Sequence, residues 1–166
     1  MPITRRQISA KRAEFEAQCP SFFVEFEGRQ FECFVLRQSM EPALHQFAFQ
    51  MVAVDFDFQV DRVSDLNEVA LFGVAETVPE HWRPFIIQHE MKEYLTPCCC
   101  DDAARYEIDL AEKNLQPGEF INYLNRRRNF FRSLISYAEA RAGYAPEKVA
   151  EFRLSLSAFE RVCGGV

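Results

Sequence analysis

Apolar and polar residues alternate from Phe22 to Glu27 and again from Phe31 to Leu36, with Gly28-Arg29 between the two runs. A period of two marks strands, and the glycine-bearing break predicts a β-hairpin. Phe56 to Val63 alternates in the same way, and Val69 to Ala75 reads as a further short, buried strand. The segment from Pro42 to about Gln50 fits a helix opened by proline, while Phe47 to Val52 fits a strand equally well. Ahead of the hairpin, Ile3 to Gln18 places Ile8, Phe15 and either Ala10 or Ala13 near one helical face, and Cys19-Pro20 ends that helix.

After Pro79 the apolar spacing becomes helical. Glu80 to Leu95 is the first predicted helix of this half, broken by Thr96 to Cys100. Asp101 or Asp102 can cap a second one running to about Leu115. Gln116-Pro117-Gly118 reads as a loop, followed by a long helix from Glu119 to about Ala142 that Gly143 closes. Pro146 to Val162 forms the last helix. The expected fold is α+β: an N-terminal antiparallel sheet of three to five strands with one early helix, then a four-helix C-terminal half, all within a single domain spanning 1–166.

Four polar residues break the apolar stripes of these helices. His89 and Glu93 fall with Phe85 and Ile86 within about 60° of Trp82 in helical projection. Ile87, Met91 and Tyr94 make a second apolar side, so that helix should be sandwiched. Glu107 shares a stripe with Ala103, Leu110 and Ala111 on the next helix. Arg127 interrupts the stripe of Phe120, Leu124, Phe131, Leu134, Ile135 and Ala138, which predicts a buried ion pair with a Glu or Asp. A polar group on a core-facing stripe needs a partner, because its desolvation costs roughly 1–3 kcal/mol. A histidine and a glutamate one helical turn apart, with a glutamate from a second helix, supply the three ligands of a metal site. The same residues can instead form a metal-free buried polar network.

His89-Glu90-Met91-Lys92-Glu93, with Glu107 downstream, resembles the zincin metallopeptidases of the glutamate-liganded branch. The resemblance implies that His89 is the first metal ligand, Glu90 the general base and Glu107 the downstream ligand, around zinc or another divalent transition metal. Glu93 stands where that family has its second histidine, which gives a metal-ligand set of His89, Glu93 and Glu107. The resemblance covers only His89 to Glu107.

Composition narrows the setting. The 166 residues are 48% apolar, including 17 phenylalanines, enough for a core without disulfide staples. A net charge of -6 and a pI near 5.2 argue against nucleic acid as a partner. No apolar run approaches the ~18 residues of a membrane span, and the N-terminal residues lack the apolar core of a signal peptide, so a cytoplasmic protein without a membrane partner is expected. Cys98, Cys99 and Cys100 are consecutive, which suits free thiols better than a disulfide framework. They precede a helix N-terminus that favours thiolate, but Asp101 and Asp102 oppose it, so packing is the preferred reading over a nucleophile with His81 or His89 as base. His45 has no spacing partner. Two functions follow: a zincin-like metal-binding protein in which hydrolysis is doubtful, or a non-enzymatic module that binds a protein partner.

Overall fold

Glu27 and Gly28 both take positive φ, 51° and 78°, and this pair makes the tight turn that the Gly28-Arg29 break predicts. Two successive positive φ values give the turn whose twist matches paired strands. The turn joins β1 (Ser21–Phe26) to β2 (Arg29–Leu36) in an antiparallel register running from Phe26↔Arg29 to Ser21↔Phe34. A computed structural model describes residues 5–37, 70–95, 100–140 and 145–164 of the chain. The expected strand Phe56–Val63, the ambiguous segment from Pro42 to Val52, His45, Cys98, Cys99 and the closing Gly143 lie outside the described residues.

The chain divides into two compact units, Met1–Thr96 and Pro97–Val166. In the first, β3 (Gly73–Ala75) completes a three-stranded sheet in the order β1-β2-β3. It is the short strand expected within Val69–Ala75, but it runs parallel to β2, with Phe34↔Gly73 and Leu36↔Ala75 in register. The all-antiparallel expectation is therefore corrected for this strand. Alternation reports which side chains are covered and is silent on strand direction. A parallel pair needs a long crossover, and the chain between Leu36 and Gly73 is long enough to supply one.

α1 (Arg5–Gln18) covers the sheet through Ile8 and Phe15, which join Cys19, Phe34, Leu36 and Leu71 in one buried cluster. The Phe15 and Phe34 rings meet edge to face at 5.6 Å. Ala10 and Ala13 are exposed. Arg12 occupies the stripe between Ile8 and Phe15 instead, and its Nη2 donates to the Ala70 carbonyl at 3.1 Å. A one-turn 3-10 helix, Glu80–Trp82, then leads into α2 (Arg83–Leu95), with Pro84 in its first turn. Arg83 fixes this approach, donating from Nε to the Val78 carbonyl at 2.9 Å and from Nη2 to the Glu76 carbonyl at 3.1 Å. α2 packs against β1 and β3. It is buried on two sides, through Phe85 and Ile86 and through Ile87 and Met91, as the sandwich expectation requires.

The second unit is helical: α3 (Cys100–Asn114), α4 (Pro117–Glu139) and α5 (Pro146–Gly164) pack on one another. With α2 they are the four helices expected, and the fold is α+β. α4 starts two residues before Glu119. Gln116 is its N-cap and Pro117 its first residue, a position where the missing N–H costs nothing. The loop expected at Gln116-Pro117-Gly118 is thus the beginning of the helix. Asp101 and Asp102 lie inside the first turn of α3, where their charge favours the helix dipole. Among the described residues no helix is long and apolar enough to cross a membrane.

Two outcomes test this packing. A Cβ at Gly73 would lie 3.0–3.2 Å from side-chain atoms of the fully buried Leu36. Gly73→Ala should destabilise the protein by about 1–2 kcal/mol in urea unfolding, and Leu36→Ala should remove most of that cost in the double variant. Burial pushes the Cys33 thiol from its ordinary 9.0 up to about 12, against the opposing pull of Arg12. Below pH 9 the thiol is protonated in both folded and unfolded chains, so its contribution is complete. Above that the unfolded chain loses the proton first, and stability should decline up to about pH 12. A Cys33→Ala variant should show a shallower alkaline decline.

Candidate metal centre

The buried stripe of α2 carries its one histidine among aromatic and branched residues. His89 is 2% exposed, one turn beyond Phe85 and Ile86, which are also buried. Its Nε2 lies 3.1 Å from Oε1 of Glu93, four residues on, and Glu93 is 31% exposed. The pair therefore spans the edge of the core, with the imidazole inside and the carboxylate at the boundary. Its second ring nitrogen, Nδ1, is buried. Glu90 is half-buried and brings a third donor, so one ligand atom from each of His89, Glu90 and Glu93 lies within 4.8 Å of the others. Among the described residues this is the one group of three such side chains that could hold a metal ion.

The helix itself explains the convergence. Residues four apart stack on one face, and residue 90 is rotated by about 100° from residue 89, close enough for a flexible glutamate to reach round. Donors of a tetrahedral ion with bonds near 2.1 Å stand about 3.4 Å apart. The His89–Glu93 pair is already near that spacing. One neutral imidazole and two carboxylates suit zinc and the harder divalent transition ions.

Glu107, expected as the downstream ligand, belongs to the second unit and is fully buried there. Both its oxygens are engaged. Arg127 donates from Nε to Oε2 at 2.7 Å and from Nη2 to Oε1 at 3.0 Å, and the Tyr123 hydroxyl donates to Oε2 at 2.5 Å. This is the buried ion pair that the interrupted α4 stripe predicts. The Arg127 guanidinium also lies 5.0 Å from the ring centre of Phe130, 4.9 Å from Phe131 and 5.7 Å from Phe159. Burial and the neighbouring Glu107 charge raise the Tyr123 hydroxyl well above its ordinary pKa, so it remains a donor. Tyr123 was not marked by the α4 stripe; the signal available was that it stands one turn before Arg127, opposite a glutamate in need of donors.

The structure thus brings His89, Glu93 and Glu90 together and places Glu107 in a separate polar cluster. His81 is exposed beside Trp82, with ring centres 5.9 Å apart. No family model, no curated protein and no solved structure matches the chain, so the zincin resemblance stands on the His-Glu-Glu cluster alone.

Removing one member of the Glu107 cluster leaves the other charge buried. Arg127→Met should cost about 3–5 kcal/mol in chemical denaturation, and Arg127→Met with Glu107→Leu should recover a large part of that loss. Equal instability of the single and double variants would show that Arg127 acts through its packing against the phenylalanines rather than through the pair.

Proposed function

We propose that this protein binds a divalent transition-metal ion, zinc or a harder neighbour, through His89 Nε2 and carboxylate oxygens of Glu93 and Glu90. The observation behind this reading is the gathering of three donor atoms within 4.8 Å on one helix. Two carboxylates one turn apart repel each other, and a divalent cation between them removes that cost. The half-exposed carboxylates leave one side of the ion open to solvent, while the buried imidazole fixes its position. Glu90, the base in the zincin scheme, is here a ligand. Glu93 stands in place of a second histidine, so binding rather than peptide hydrolysis is the activity proposed. The free thiols of Cys19, Cys33 and Cys163 fit the reducing cytoplasm expected for it.

The 3.1 Å contact between His89 and Glu93 also supports a second reading, in which the pair satisfies itself without metal and α2 is a structural helix. Metal titration separates the two. Protein purified without an affinity tag and stripped with chelator should bind zinc or manganese at one equivalent in calorimetry. At a hundredfold excess over Kd the ion should add about 2.7 kcal/mol of stability. Glu90→Gln and Glu93→Gln should each weaken binding by about tenfold or more, near 1.4 kcal/mol. His89→Ala should bind no ion and should unfold identically with and without chelator. A wild type that is itself indifferent to chelator and to added metal would decide for the metal-free pair.

A further inference from the structure

The second unit holds a concave site that belongs neither to the metal centre nor to the Glu107 cluster. Ile121, Leu124, Asn125 and Arg128 follow one another along α4 at helical spacings of three and one. With Cys163 near the end of α5 they line a half-open cavity of about 240 Å3. That volume equals roughly eight water molecules, the scale of a small organic molecule rather than a peptide or nucleotide. One wall is aliphatic, and Ile121 is among the few large apolar side chains of the described residues left exposed, at 43%. The other wall is polar and held in place, because Arg128 Nη2 donates to Asn125 Oδ1 at 2.9 Å. Arg128 Nε itself is buried, and among the described residues no acceptor meets it.

We infer that this cavity binds a small carboxylate bearing a short apolar chain, with the carboxylate on the Arg128 guanidinium and the chain against Ile121 and Leu124. A guanidinium matches a carboxylate in shape and in charge. Among the described lining residues Arg128 is the one cationic side chain, and a phosphate dianion would leave one negative charge uncompensated beside two aliphatic residues.

Cys163 reports occupancy, since it is a free, half-exposed thiol in the cavity wall. The experiment follows its alkylation by iodoacetamide with peptide-resolved mass spectrometry, using hexanoate as the probe. Hexan-1-ol serves as the uncharged match and inorganic phosphate as the anion without a chain. A probe with Kd near 1 mM, present at about 10 mM, should slow alkylation about tenfold. Hexan-1-ol and phosphate should each slow it less than about twofold. Protection by hexanoate should be lost in Arg128→Gln and in Ile121→Glu; the latter, at an exposed position, keeps the test open if the former fails to fold by circular dichroism. No protection by hexanoate, equal protection by hexan-1-ol, protection by phosphate alone, or full protection retained in a folded variant would each overturn the assignment.

Discussion

Arg127 carries a permanent charge to a position that is 4% exposed, and the helices of the second unit converge on it. An ion of that size transferred alone into a low-dielectric interior would face a penalty of several kcal/mol even after relaxation. Glu107 of α3 meets it with two parallel hydrogen bonds, Phe159 of α5 and its own neighbours Phe130 and Phe131 offer their ring faces, and Tyr123 occupies the carboxylate further. Each helix of the unit therefore contributes to one charge. The alanines of α3 at 103, 104 and 111 are buried and small, which lets the helices approach closely enough for these short contacts. By comparison the surface pairs Arg161–Asp101, Arg105–Asp101 and Arg132–Glu160 have their arginines half exposed or more and are worth little individually.

The same requirement gives a different result on α2. The Glu107 cluster sets one carboxylate against one guanidinium, is fully buried, and has both carboxylate oxygens engaged, so that carboxylate is closed to a cation. The His89 group holds two carboxylates with one imidazole and lies across the edge of the core, so its donor atoms can be reached from solvent. Burial alone does not separate a structural polar group from a binding one. The donor set and its access to solvent do, and on those criteria the α2 group is the one that could hold a cation.

The positions of both polar clusters were legible in the sequence because a helix repeats every 3.6 residues and His89, Glu107 and Arg127 each fall where an apolar residue belongs. Their partners were less so. Periodicity shows which face of a helix is covered and says nothing of what lies across from it, so it groups Glu107 with His89 as readily as with Arg127, the partner it has in the structure. Tyr123 escaped notice because an aromatic residue beside an apolar stripe looks like packing. The hairpin was readable from local rules, as its turn needs positive φ at two positions and Gly28 supplies one cheaply. The direction of β3 was not, because it is decided by the connection and not by the strand itself.

The candidate metal centre owes its order to parts of the first unit outside the donor group. Donors on a single turn of an isolated helix would be a weak site, since the helix frays and the side chains wander. Here Arg83 ties the start of α2 to the Glu76 and Val78 carbonyls just beyond β3, while Phe85, Ile86, Ile87 and Met91 are all buried on either side of His89. These contacts settle the register of the helix and hold the imidazole before any ligand arrives. The ordering entropy of the histidine is thus met by folding, which would lower the cost of binding an ion there. On the proposed function, binding and the docking of α2 on the sheet would be linked: whatever loosens α2 would weaken the site, and an ion that fills the site would stabilise α2 by the same free energy.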